Sequence, residues 1–203
     1  MTNSDSNPRI TSRCIAGVGI LTALSFILQY LEFPLPFLIP PFIKFDFSDL
    51  PALIGAYAYG PVAGILIEFI KNLLHCAVSQ SATVGELSNF ILGAAFCVTA
   101  GLIYKHNKTK KTALIGGVIG AVVMGLICIP ANYYVVYPFY YKAFMPEETV
   151  LAAYQAILPG VKSILQSLFI FNLPFTIIKG LISVAISMPI YKRLTRVLNK
   201  IGH

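Results

Sequence analysis

Between Ala113 and Tyr141 the chain carries no charged residue. That run is longer than the roughly 20 apolar residues a helix needs to cross a bilayer. Inside lipid the backbone must satisfy its own N–H and C=O groups, which favours a helix. Four further apolar runs follow the same pattern: Cys14–Leu31, Val62–Val78, Leu87–Tyr104 and Ser163–Tyr191. Only 11% of the residues are charged and 57% are hydrophobic, with a mean hydropathy of +0.77. A soluble domain carries about 25% charged residues. The spans use nearly the whole chain, so residues 1–203 form one integral membrane domain with no room for a separate soluble one.

Charge placement sets the number of crossings. Arg9 and Arg13 flank the first span, "KHNKTKK" occupies 105–111, and "KRLTRVLNK" closes the last span. Basic clusters next to spans mark the cytoplasmic side. Two cytoplasmic termini require an even number of spans. Leu50–Tyr59 is apolar but short, and it ends at the turn signal Gly60-Pro61. Counting it as a span, completed by ordered non-helical backbone, gives an all-α membrane protein. It is a six-transmembrane-helix bundle with both termini cytoplasmic. The net charge of +7 then reflects topology and not affinity for nucleic acid. The N-terminal "MTNSDSNPRITSR" precedes a span with no small-residue cleavage site, so it is read as retained.

The segment "IPPFIKFDFSDLP", Ile39–Pro51, is too apolar for a free loop and too polar for lipid. It faces outside, either as a structured connector or as a lid over an outward-facing pocket. Ser48 or Asp49 is placed to cap the helix starting near Leu50, with Pro51 early in it. "PEETVLAAYQAILPG" reads as a short amphipathic helix.

Ionisable residues inside spans are costly and point to function. Glu68, Lys71, Asn72, His75 and Ser79 share one helical face. Glu68 and Lys71 form either an internal ion pair or part of a proton or ion relay. In the last span Asn172, Thr176 and Lys179 share a face around Pro174. Lys179 requires an acceptor, from a ligand or from a structural partner such as Glu68. Asn132 follows Pro130, and Tyr133, Tyr137 and Tyr141 recur along the same side. Glu86 and Asn89 form a polar pair at the start of the fourth span. Together these residues describe an outward-opening pocket suited to a flat, largely neutral ring with polar edges.

The four cysteines lie in apolar segments without a CxxC pair and read as small packing residues, not as a metal site. There is no phosphate-binding GxxxxGK[ST] loop, no HExxH and no GxSxG. The chain is therefore expected not to be an enzyme, to carry no cofactor, and to depend on a motor supplied by other proteins. The competing class is an autonomous carrier coupled to ions through Glu68.

The stretch "FIKFDFSDLPALIGAYAYGPVAGILIEFIKNLL", with "PANYY" and "PFTIIKG" later, resembles the riboflavin-binding S components of energy-coupling factor (ECF) vitamin transporters. The resemblance implies six helices and a flavin held between the first loop and helices four to six, with riboflavin as transported ligand. It also implies a scaffold (T) subunit, two cytoplasmic ATPases and a place in the bacterial plasma membrane. On that resemblance Asn132 reads the flavin ring, Lys179 is the helix-six lysine, and Lys44, Phe45 and Asp46 close over the ligand. Thr176 stands where the family pattern has asparagine, and Asn172 lies one turn earlier. Gly19 and Ala23, in "GILTA", form a small-residue strip of the kind that docks on the scaffold. Phosphorylated flavins would need extra cations, for which only Lys44, Lys142 and Lys162 are available outside.

Overall fold

The computed structural model describes residues 12–79 and 83–200. Arg9 lies outside the described residues. Helix α1, Ser12–Tyr30, leads into a short antiparallel pair, β1 (Phe33–Pro34) and β2 (Lys44–Phe45). Then come α2 (Asp49–Tyr59), α3 (Pro61–His75) with a 3₁₀ turn at Cys76–Val78, and α4 (Val84–His106). Helix α5 (Lys110–Ala131) passes through a π-helical turn, Asn132–Val136, into α6 (Tyr137–Ala143). Helix α7 is Glu147–Gln155. Helix α8 (Ile164–Ser167) joins α9 (Leu173–Lys200) through a second π turn, Leu168–Asn172.

By length and composition four stretches are long and apolar enough to cross a membrane: Pro61–Val78, Val84–His106, Lys110–Ala143 and Ile164–Tyr191. Helix α1 contributes a shorter apolar stretch, Cys14–Tyr30. Helix α2 is only 11 residues long, yet Pro51 to Tyr57 are all buried. It packs against α1, α3, α4 and α9 and so is the central post of the bundle. Hydrophobic side chains face outward along the long helices, among them Leu66, Phe69, Leu73, Leu126, Phe169 and Ile178. Glu68, Lys71, Asn72 and Lys179 point inward. Polar inside and apolar outside is the arrangement lipid demands.

Helices α2 and α3 reverse at Gly60, whose φ of 98° excludes a β-carbon, and Pro61 starts α3 where no N–H partner is needed. This reversal lies beside Gly101 near the end of α4. Tyr57 donates to the Ala113 carbonyl at 2.7 Å and meets Tyr191 edge to face at 5.9 Å. Gly17 of α1 touches the Tyr59 hydroxyl. One end of the bundle therefore gathers the α2–α3 turn, the α4–α5 connection, the N-terminal part of α1 and Tyr191.

The expected cap on α2 is not formed by Ser48 or Asp49. Ser48 makes no side-chain cap bond. Asp46 Oδ1 instead accepts from the Ser48 N–H at 2.7 Å, and Asp49 opens the helix with its carboxylate turned inward to lysine. An unpaired buried ammonium costs far more than an uncapped helix end, so the ion pair takes the aspartate.

Candidate functional site

At the end opposite that turn the helices part around a cavity of about 510 Å³. That is within the roughly 300–1,000 Å³ of small-molecule sites. Its walls come from four places in the chain. Helix α4 supplies Glu86, Ser88, Asn89 and Leu92. Helix α5 and its π turn supply Met124, Cys128 and Asn132, with Tyr137 and Tyr140 above. The last helix supplies Asn172, Phe175, Thr176 and Lys179. Pro41, Phe42, Ile43 and Lys44 form the roof, with Glu32 beside them.

Both π turns hold an asparagine at the cavity. In the first, the Tyr137 N–H reaches back to the Asn132 carbonyl, one residue further than in an α-helix. In the second, the Leu173 N–H does the same to Leu168, and Asn172 is its last residue. Pro130 and Pro174 flank these turns, each removing a helical donor. The Asn132 amide donates to the Cys128 carbonyl at 2.8 Å and to its sulfur at 3.0 Å, and accepts from Ser88 Oγ at 3.3 Å. Thr176 Oγ1 donates to the same sulfur at 3.4 Å. Cys128 is thus a shared acceptor in the wall and not simply a packing residue.

Asn172 is braced from outside the spans. Tyr154 of α7 donates to Asn172 Oδ1 at 2.6 Å, and Asn172 Nδ2 donates to the Tyr137 hydroxyl at 3.3 Å. The Tyr137 and Tyr154 hydroxyls also share a hydrogen bond. Burial, reinforced by Tyr137, pushes the Tyr154 hydroxyl well above the usual phenol range, so it stays protonated and able to donate. The short amphipathic helix therefore fixes the rotamer of a cavity amide.

Beneath the cavity lies a buried charge cluster. Lys179 Nζ sits 2.9 Å from Asp46 Oδ2 and 3.4 Å from Asp49 Oδ2. Lys71 Nζ sits 2.8 Å from both Asp49 Oδ1 and Glu68 Oε2, and donates to Ser48 Oγ at 2.6 Å. Asp46, Asp49, Glu68 and Lys71 are each at most 1% exposed. The acceptor that Lys179 requires is therefore aspartate from the α1–α2 connection, not Glu68, although the lysine still lines the cavity. Glu68 is fully buried against Lys71 and fills the space left by Gly93, where a β-carbon would collide with its carboxylate. That packing is of an internal ion pair with Lys71.

Among the residues expected from sequence, Lys44, Glu86, Asn89, Asn132, Tyr137, Asn172, Thr176 and Lys179 line the cavity together. Phe45, Asp46 and Tyr133 do not. Phe45 is buried behind Phe175, 6.1 Å away, and Asp46 stands behind Lys179. Tyr133 is 41% exposed and packs on Tyr134, because the wider π turn breaks the face it would share with Tyr137. Gly19 and Ala23 lie on the exposed side of α1, remote from the cavity. The Ile39–Pro51 segment divides in two: Pro41–Lys44 roofs the cavity, whereas Asp46–Pro51 is largely built into the core. Sequence reasoning missed Glu32, Ser88, Tyr140 and Phe175. The isolated acid in "QYLEFP" was the available signal for Glu32.

The chain matches the family described as "ECF transporter, substrate-specific component" over residues 13–191. It is 34% identical over 199 residues to the "Riboflavin transporter RibU" of Staphylococcus aureus (strain TCH60), covering 98% of this chain and 96% of that protein. It is 32% identical to the "Riboflavin transporter FmnP" of Bacillus subtilis (strain 168), covering 87% and 89%. A solved structure described as "Structure and mechanism of the S component of a bacterial ECF transporter" superposes with a TM-score of 0.71 at 32% identity. It covers 92% of this chain and 97% of the other.

Proposed function

The chain belongs to the family of ECF transporter substrate-specific components, and from that premise we propose that it captures riboflavin at the outer face of the cell membrane for uptake driven by partner proteins. It is a binding subunit of a transporter and not an enzyme. The observation that carries the reading is the convergence of three amide side chains, Asn89, Asn132 and Asn172, with Phe42, Tyr137, Tyr140 and Phe175 around one cavity. A flavin ring has flat faces and an edge of alternating donors and acceptors. Aromatic walls bury the faces, and fixed amides read the edge. Asn132 and Asn172 are both held by neighbours, so little side-chain freedom is lost when they bind. Lys179 and Thr176 add a donor and a hydroxyl from the last helix, and Lys44 and Phe42 cover the ligand from the α1–α2 connection.

The same reading gives six crossings, with α1 and the short α2 added to the four long spans. The grouping of the α2–α3 turn, the α4–α5 connection and Tyr191 at one end supports cytoplasmic termini, since the lysines of 105–111 belong on that side. A T-type membrane scaffold and two ATPases supply the energy. Gly19 and Ala23, open on the outward side of α1, offer the scaffold a close approach.

The test is a visible absorption spectrum of the purified protein, followed by titration with riboflavin while its fluorescence is recorded. Retained yellow flavin and saturable quenching are expected. A colourless protein that leaves riboflavin fluorescence unchanged would overturn the assignment.

A further inference from the structure

The charged groups that line the cavity, among the described residues, are Glu32, Lys44, Glu86 and Lys179. Each lysine already faces carboxylate. Lys179 has Asp46 and Asp49 at 2.9 and 3.4 Å, and Lys44 holds Glu32 Oε1 at 2.7 Å. Glu86 is kept in place by His75 Nδ1 and Ser79 Oγ, each at 2.9 Å. Counting the cluster beneath, Glu32, Asp46, Asp49, Glu68 and Glu86 stand against Lys44, Lys71 and Lys179, with His75 beside Glu86. The surroundings of the cavity are thus rich in carboxyl groups, and its lining lysines are already neutralised.

Exposure locates the mouth. The side chains of Lys44 and Glu32 are 21% and 18% exposed, whereas that of Lys179 is 6%. Asn132 and Asn172 are 4% and 5% exposed. A flat ring gains most at the buried, amide-lined end. A charged tail cannot be left there without a partner, so a tail phosphate comes to the Glu32–Lys44 mouth.

We propose that the cavity selects its flavin by charge, taking the unphosphorylated form, and that Glu32 is the specificity-determining residue at the mouth. This rests on the riboflavin reading above. A phosphate carries about −1.5 to −2 charges at neutral pH. At the mouth it competes with the Glu32 carboxylate for the lining cation there, Lys44, which that carboxylate holds at 2.7 Å. Repulsion of this kind is several-fold stronger beside a protein wall than in bulk water. The hydroxyl end of an unphosphorylated tail meets no such penalty and can donate to Glu32.

The experiment uses the full chain purified in detergent, as wild type, Glu32→Gln and Lys44→Met. Dissociation constants for riboflavin and flavin mononucleotide are measured by fluorescence quenching. The readout is their ratio within each protein, which does not depend on the fraction that folds. The wild type is expected to prefer riboflavin by about tenfold or more. Glu32→Gln should shrink that preference by about tenfold, and Lys44→Met should widen it. Both shifts should diminish as salt is raised. A ratio that stays the same in all three proteins points to exclusion by size and overturns the proposal, as does a wild type that binds both flavins equally. A wild type that binds neither flavin removes the riboflavin reading itself, and this proposal with it.

Discussion

Replacing Lys71 with methionine should be among the most damaging single changes in this protein. The side chain is 0% exposed, and its ammonium contacts Asp49 and Glu68 at 2.8 Å and Ser48 at 2.6 Å. Methionine fills much of the same volume, so the loss is electrostatic and not a cavity. Without Lys71, three carboxyl groups share the single ammonium of Lys179. That ammonium reaches Asp46 and Asp49 but is not an ion-pair partner of Glu68. Breaking a buried pair from one side costs about 3–5 kcal/mol, because it strands the opposite charge. Total stabilities lie near 5–15 kcal/mol, so about a fifth or more is at stake. For a chain of this size each kcal/mol corresponds to about 2–4 °C in Tm, which gives a loss of about 6–20 °C. The assay is thermal unfolding of the detergent-purified protein followed by circular dichroism. Adding Glu68→Gln to Lys71→Met restores the original excess of one acid over the lysines and should recover at least half of the loss. A Lys71→Met protein that melts within about 2 °C of wild type would refute the electrostatic account, as would a double variant no more stable than the single.

Asn132→Ala and Lys179→Met should each weaken riboflavin binding by about five- to 150-fold, the cost of leaving one buried ligand group unpaired; quenching titrations check this, with circular dichroism to confirm the fold. A cysteine at Lys44 should react more slowly with an impermeant maleimide when riboflavin is bound, because that position roofs the cavity. Gly19→Leu combined with Ala23→Leu should leave binding by the isolated subunit intact and abolish uptake in cells supplying the partner proteins. A β-carbon at Gly19 meets nothing within 4 Å in the isolated chain. Normal uptake by that variant would move the docking surface elsewhere.

The helices were legible because membrane helices follow local composition. The uncharged run Ala113–Tyr141 lies within the observed stretch Lys110–Ala143, and Leu50–Tyr59 is helical from Asp49. The cavity amides were legible too, since Asn132 and Asn172 interrupt apolar runs where a polar group needs a reason. The identity of each charge's partner was not legible. Asp46 and Lys179 are 133 positions apart, and hydropathy carries no information on which distant acid a buried lysine meets. The β1–β2 pair, two residues per strand, falls below any periodic signal. The π turns escaped for a different reason. A helical face drawn at fixed spacing assumes an unbroken α-helix, and that assumption misplaced Tyr133.

Those two turns also bear on how such a site changes over evolutionary time. Each behaves as one residue inserted into an otherwise ordinary helix, with a local loss of regular hydrogen bonding. Deleting a single residue between 133 and 136 would let the ladder close as a plain α-helix. The helix on either side would keep its phase, because the turn absorbs its extra residue locally. Asn132 and Tyr137, now five positions apart and joined by a backbone hydrogen bond, would become an i, i+4 pair on one face. Frame-preserving loss of one codon there should therefore be tolerated by folding and should leave both side chains on the cavity. Related chains whose pocket residues stand one position closer together are the place to find it.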